Sequence, residues 1–289
     1  MEIGRLGILA LLDSLSGSEA GALVRRIEAL GYDTLWIPEV LGREIFSFAA
    51  HLLGQTERMI IGTGVAIAFE YEPIVAASAA KTIGELHPDR FVLGLGVSNR
   101  RINAVRGVRY EAPVRFMEDY LARLEAAPYN AVPPRNKPPV MLAAMMPKML
   151  RLAAARTQGT ITYLTTMEQL RGYREVLGPD PWLCAIQMMV LETDAARARE
   201  TARRQIAIYL QIDHYVRRLR KLGFGDDELR DGGSDRLVDA LVVWGSEETL
   251  RRRVAELIGV GATQVCLLPL RVDGGPGPDV RALEALAPR

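Results

Sequence analysis

The chain has 289 residues, 36 Lys plus Arg against 35 Asp plus Glu, a formal net charge of +1, and 49% hydrophobic residues. That length allows one large α/β domain or two small ones, and the composition is that of an ordinary globular chain. Near-neutral charge argues against nucleic acid as a partner, and no apolar run approaches the length of a membrane span, so a soluble, cytoplasmic protein without a membrane partner is expected.

In chain order, the apolar run over 5–12 predicts a first strand. Helical spacing over 18–30 predicts a helix with Ser18 as N-cap and Gly31 as stop. Residues 34–38 (TLWIP) predict a second strand, and 43–53 a helix ending at Gly54. Residues 59–69 (MIIGTGVAIAF) predict a third strand. Pro73 takes the favoured first position of a helix that runs to about Leu86. Residues 90–95 (RFVLGL) predict a fourth strand and 112–126 a helix. The Pro-rich 130–139 stretch reads as a loop, followed by a fifth strand over 139–144 and a helix over 147–156. A sixth strand over 160–164, a helix over 166–177 and a seventh strand over 182–191 follow. The 194–222 stretch reads as one long helix, 223–234 as a Gly/Asp-rich loop, and 235–243 and 247–258 as helices. An eighth strand over 263–268 and a short closing helix end the chain.

Eight strands with intervening helices predict one (β/α)8 TIM-barrel domain spanning 1–289. The rival, a doubly wound sheet, normally has a glycine-rich loop after its first strand, whereas residues 10–14 here read ALLDS. Cys184 and Cys266 lie in strand-like runs and are expected to be buried, inert thiols. His51, His87 and His214 are scattered, so neither a metal site nor a His-based triad is expected. The Arg-rich stretches 197–204 and 217–221 have helical apolar spacing and read as solvated helix faces.

Active sites of such barrels lie at the C-terminal ends of the strands. Those ends carry Pro38-Glu39-Val40, Thr63-Gly64-Val65, Gly96-Val97-Ser98-Asn99, Ala144-Met145-Met146 and Tyr163-Leu164-Thr165. Gly94 and Gly96 either leave room for a flat ring system or serve close strand packing. Gly62 and Gly64 weaken the third strand and suggest a bulge or unusual backbone there. The 100–114 loop and the 209–234 segment are expected to shape the mouth.

The segments GYDTLWIPEVLGRE, ERMIIGTGVAIA, HPDRFVLGLGVSN and VWGSEETLRRRVAELIGVGATQVCLLPL, in that order, resemble the bacterial luciferase-like superfamily. The branch most closely resembled uses coenzyme F420, a 5-deazaflavin. The likeness runs over nearly the whole chain, and RFVLGLGVS and VWGSEE are its most specific pieces. It implies a luciferase-like barrel in which Thr63, Gly64 and Val65 back the deazaflavin ring through a cis Gly64–Val65 peptide. It places Gly96, Val97 and Ser98 beside the ring, and Ala144, Met145, Met146 and Tyr163 along the rest of the cofactor cradle. Glu39 either hydrogen-bonds the polar edge of the ring or handles protons, or else caps the helix that opens at Arg43. Asn99 is its expected catalytic companion, with Val40, Arg43 and Arg100 on the substrate side. Arg43, Arg100 and Arg101 either meet a phosphate or acidic cofactor tail or are solvated arginines. A homodimer is implied by the resemblance alone.

The chain departs from the family pattern in places. Val40 stands where some relatives carry a catalytic His, and Asn99, where relatives often have Glu or His, cannot act as an acid or base at neutral pH. The strand-five turn, usually glycine-containing, reads Met145-Met146-Pro147, and Gln158-Gly159 replaces a common Asp-Gly. The two methionines either line an apolar substrate pocket or fill the phosphate site, although the helix opening at Pro147 still offers an anion site. Three functional expectations follow: hydride transfer between F420 and a small organic substrate, an FMN-dependent monooxygenase, or a cofactor-free barrel with a non-redox or ligand-binding role.

Overall fold

The computed structural model describes residues 1–288. Its parallel strands are β1 (Leu6–Leu9), β2 (Thr34–Ile37), β3 (Ile60–Thr63), the two-residue β4 (Ala66–Ile67), β5 (Phe91–Gly96), β6 (Val140–Ala143), β7 (Gly159–Thr162), β8 (Trp182–Leu191), β9 (Val242–Gly245) and β10 (Gln264–Pro269). Neighbours pair from β1 to β2, β3, β5, β6, β7 and β8, and β10 joins β8 to β1, so eight strands close into a (β/α)8 barrel.

Each strand is buried on both faces, and its side chains alternate between two cores. Leu9, Trp36, Val92, Met141, Cys184 and Cys266 fill the barrel interior. Their neighbours Ile8, Leu35, Leu93, Leu142, Leu183 and Val265 pack against the outer helices. Both cysteines are buried and unbridged. At the bottom of the barrel Gln264 accepts from Trp36 Nε1 at 2.7 Å and donates to Thr34 Oγ1 at 3.2 Å, which satisfies the polar atoms of an otherwise apolar plug.

The outer helices include α1 (Gly17–Ala29), α2 (Ile45–Leu53), α3 (Pro73–Leu86), α4 (Arg100–Val105), α5 (Pro113–Glu125), α6 (Pro147–Arg156) and α7 (Met167–Leu177). They continue with α8 (Ala195–Ile206), α9 (Asp213–Lys221), α10 (Asp235–Leu241), α11 (Glu247–Gly259) and α12 (Val280–Leu286). Ser16, not Ser18, caps α1: it accepts from Glu19 N–H at 3.3 Å, while the Glu19 carboxylate accepts from Ser16 N–H at 2.7 Å.

Several boundaries differ from the sequence expectation. The third strand is broken into β3 and β4 at Gly64–Val65. The 194–222 helix is two helices joined by a 3-10 turn at Tyr209–Gln211, and the 100–114 loop contains α4. The helix expected over 235–243 stops at Leu241, and Val242 and Val243 enter β9. The reason is an edge: β7 pairs with β8 only as far as Ala185, which leaves the β8 edge from Met188 to Leu191 for β9 to cover.

Candidate active site

A cavity of about 340 Å³ opens at the C-terminal ends of the strands. Its floor is set by close approach of two strands. Thr63 Oγ1 donates to Gly94 O at 2.7 Å and accepts from Gly94 N–H at 2.8 Å, which locks β3 to β5. A Cβ on Gly94 would lie 2.0 Å from Thr63 O, and one on Gly96 would lie 2.4 Å from a Val65 methyl. The glycines thus let the 63–65 bend lie flat on β5. The Gly64–Val65 peptide is cis. Gly64, Val65 and Gly96 line the cavity, whereas Thr63 is wholly buried beneath it as the latch.

Beyond Gly96 the chain turns sharply. Ser98 adopts a left-handed φ of 54°, a strained conformation for a residue with a Cβ. Buried Asn103 holds this turn by donating to Val97 O at 2.9 Å and Asn99 O at 3.0 Å. Val97, Ser98 and Asn99 all reach the cavity. Asn99 also caps α4, with Oδ1 accepting from Ile102 N–H at 3.1 Å, so its amide nitrogen is the polar atom left for a ligand.

One wall is acidic. Glu39 leaves β2 half-buried, and its carboxylate accepts from Ile67 N–H at 2.7 Å and from the Tyr71 hydroxyl. Burial raises its pKa, and those two donors with Arg106 pull it back. It does not cap α2: that task belongs to Glu44, which accepts from Phe46 N–H at 3.0 Å and Ser47 N–H at 2.7 Å. Val40 stands next to Glu39 on the same wall.

The opposite wall is aromatic and basic. Tyr163, after β7, meets Tyr209 edge-on at 5.0 Å between ring centres, and Tyr209 meets Tyr215 at 5.2 Å. His214 joins them, and its pKa falls to about 4 through burial and the nearby Arg218 and Arg217. Arg218 is 5% exposed, so the solvated face expected over 217–221 is corrected at this residue. Its guanidinium bonds the carbonyls of Tyr163 (3.1 Å) and Leu164, and Nη1 lies 2.7 Å from Met145 Sδ. Its Nε is buried without a hydrogen-bond partner, and among the described residues no carboxylate pairs with it. Leu164, which Arg218 grips, is itself left-handed at φ 52°.

Ala144, Met145 and Met146 complete the rim. The Ala144 N–H already donates to Thr160 Oγ1 at 3.1 Å, and Met145 stands between the cavity and Arg218. Two of the expected arginines are elsewhere. Arg43 donates to Leu12 O at 2.9 Å and to Leu15 O and stacks 4.4 Å over Phe48, tying the β1–α1 loop to α2. Arg100 lies 5.7 Å over the Tyr110 ring, and that tyrosine, not the arginine, lines the cavity. Sequence reasoning named Tyr163 and expected the 209–234 segment to shape the mouth, and the cavity is lined by Tyr163 and by Tyr209, His214 and Tyr215 of that segment, but neither those three residues nor Arg218 was singled out. The only signal available was helical spacing that placed Tyr215, Arg218 and Leu219 on one face of α9.

The family described as luciferase-like monooxygenase matches residues 9–264. The chain is 22% identical over 280 residues to a 5,10-methylenetetrahydromethanopterin reductase of Methanolobus tindarius, covering 82% of this chain and 86% of that one. It is 25% identical to a putative coenzyme F420-dependent oxidoreductase of Mycobacterium tuberculosis, covering 91% and 93%. The solved coenzyme F420-dependent tetrahydromethanopterin reductase from Methanopyrus kandleri superposes with a TM-score of 0.77 over 99% of this chain and 98% of that one. At 16% identity that superposition speaks for the fold.

Proposed function

The chain belongs to the luciferase-like monooxygenase family, and from that premise we propose that it is an oxidoreductase that moves a hydride between coenzyme F420 and a small organic substrate. The observation that carries this reading is the polarity of the cavity. A half-buried carboxyl whose pKa burial raises stands on one wall, and a buried guanidinium without a carboxylate partner stands behind the other. A deazaflavin with a polar ring edge and an anionic tail complements both. The names of the relatives from Mycobacterium tuberculosis and Methanopyrus kandleri support the cofactor class.

The residues present fit such a group. Gly96, whose Cβ would strike Val65, and the flat 63–65 bend leave an apolar face against which a ring can lie. When bound, the deazaflavin supplies a two-electron hydride carrier. Glu39 holds or takes a proton at its carboxylate oxygens, positioned by Ile67 N–H and the Tyr71 hydroxyl. The Asn99 amide nitrogen donates a hydrogen bond to a substrate oxygen. Arg218 offers the positive charge that the Met145–Met146 turn lacks, and Tyr163, Tyr209 and Tyr215 exclude water. With the hydride carried by the cofactor, the chemistry needs neither a nucleophile nor a metal.

The reading is tested by titrating the purified protein with coenzyme F420 and, separately, with FMN, followed by fluorescence quenching. Micromolar binding of F420 and not FMN is expected. Binding of FMN alone would move the chain to the monooxygenase reading, and binding of neither would favour the cofactor-free barrel.

A further inference from the structure

Glu39 is not alone behind the acidic wall. The strap between β4 and α3 carries Glu70, Tyr71 and Glu72 in succession. Glu70 Oε1 lies 2.9 Å from Arg106 Nε, with the two side chains only 18% and 19% exposed. Arg106 follows α4 and also donates to Val40 O, next to Glu39. Tyr71 donates to Glu39 and lies 3.2 Å from Glu44 Oε1. Arg106 Nη1 is buried without a hydrogen-bond partner, and Glu70 Oε1, also buried, meets only the Arg106 guanidinium as an ion pair without hydrogen-bond geometry.

From α2, Glu44 faces the cluster, but two backbone N–H groups at the helix start hold it as an anion below its ordinary pKa. From α5, Tyr120 faces it as a neutral phenol whose pKa burial raises. Tyr71 is likewise held neutral by burial and by Glu39. Glu72 turns away to cap α3 and pair with Arg123. Arg106 is therefore the cation that Glu39 and Glu70 share. One guanidinium neutralises one carboxylate, and a second negative charge in the same half-dry space repels the first.

We propose that Glu39 and Glu70 form a pair that keeps a single proton between them around Arg106, so that Glu70, a positioning residue outside the cavity, sets when Glu39 serves as acid and when as base. The use of this pair rests on the redox reading above, but its existence does not. Burial and the charge of Glu39 push the Glu70 pKa up to about 7, and burial raises Glu39 as well. The two protons then leave in two steps that belong to the pair. When a substrate oxygen takes the proton from Glu39, the pair passes from one proton to none and regains it from water. In the opposite direction the substrate's proton takes the pair from one proton to two, and the extra proton leaves to water.

The test is 13C NMR of the protein labelled at the glutamate side-chain carboxyl carbon, titrated without cofactor from about pH 4 to about pH 9. The native protein is expected to show two coupled steps, the upper one near pH 7. Glu70→Gln should erase the upper step and leave Glu39 titrating once, roughly one unit or more lower. Glu39→Gln should bring Glu70 down in the same way, so an unfolded Glu70→Gln protein still leaves the coupling measurable from the other side. Tyr71→Phe should raise the Glu39 step and preserve the coupling, because it removes a hydrogen bond that favours the anion. The pair is overturned if Glu39 titrates identically with and without Glu70, or if no glutamate of the native protein titrates above the ordinary range. Quenching of F420 fluorescence, measured on the same samples, judges the redox reading separately. Coupling without F420 binding removes that reading alone, and F420 binding without coupling removes the pair alone.

Discussion

The two walls of the cavity solve the same problem, a polar group taken out of water, in opposite ways. On the β2–β5 side, carboxyls crowd one arginine and lean toward their protonated, neutral forms. On the β7–α9 side, the Arg218 guanidinium meets carbonyls, a thioether and the Tyr173 and Tyr215 side chains but, among the described residues, no carboxylate, and the neighbouring His214 is held neutral. The acidic wall is complete within the protein, because a proton supplies the missing charge. The basic wall is not, because a guanidinium cannot shed its proton and its Nε has no partner. Under the proposed function, the anionic tail of the deazaflavin answers the Arg218 charge, which lies behind Met145.

The largest effect should come from the floor under the acidic wall. Gly94→Ala places a methyl carbon 2.0 Å from Thr63 O, a backbone atom, so β3 or β5 must shift. A loss of about 3 kcal/mol or more in urea denaturation is expected, at the upper end of overpacking costs. The His214 resonances should stay where they are if the two walls are independent.

Arg218→Met comes next, because it removes the charge and keeps much of the volume. F420 affinity should fall by roughly 10- to 100-fold, as expected for a lost hydrogen bond to a charged group. Equal binding by both proteins would break the comparison.

The pH dependence of stability separates the walls by sign. The folded-state pKa of Glu70 is raised from 4.5 to about 7, so its contribution is fully present below pH 4.5 and lost as pH rises through 7. That of His214 is lowered from 6.5 to about 4, so its contribution is present above pH 6.5 and lost as pH falls toward 4. Relative to the native protein, Glu70→Gln should therefore gain stability toward alkaline pH, and His214→Gln toward acid pH. Urea midpoints across the range report both slopes.

The smallest effect concerns Asn99, which stands at the loop end beyond β5 and also caps α4. Asn99→Ala should cost about 1 kcal/mol through the lost cap, whereas Asn99→Asp should cost little, because it keeps the acceptor. Thermal denaturation of the two variants distinguishes them.

The same contrast governs what the amino-acid order reveals. The barrel was legible because its strands are apolar runs bounded by turn residues, and the floor with Glu39 because Glu39, Gly64–Val65 and Gly96 lie in short motifs at strand ends, whereas Glu70, Tyr71 and Arg106, which complete the acidic wall, lie in loops with no such motif. Ser16 was legible too: the Ser16-x-x-Glu19 spacing spells the capping box that reading Ser18 as the cap overlooked. The start of β9 was not, since Leu237, Val238 and Leu241 continue a helical apolar face straight into Val242 and Val243. Only the uncovered edge of β8 decides that the chain becomes a strand there. Nor was Arg218, whose burial depends on α9 docking over a turn 54 residues earlier in the chain. Arg43 and Arg100 sat close in sequence to the strand ends and were drawn instead to nearby carbonyls and an aromatic ring.

Under the proposed function the cavity holds a deazaflavin whose anionic portion answers Arg218. The most direct measurement follows the His214 ring resonances and F420 fluorescence together as coenzyme F420 is added to the native protein and to Arg218→Met. Quenching with micromolar affinity and a rise of the His214 pKa from about 4 are expected in the native protein, and loss of most of both in the variant. Native protein that leaves F420 fluorescence and His214 unchanged would contradict this reading.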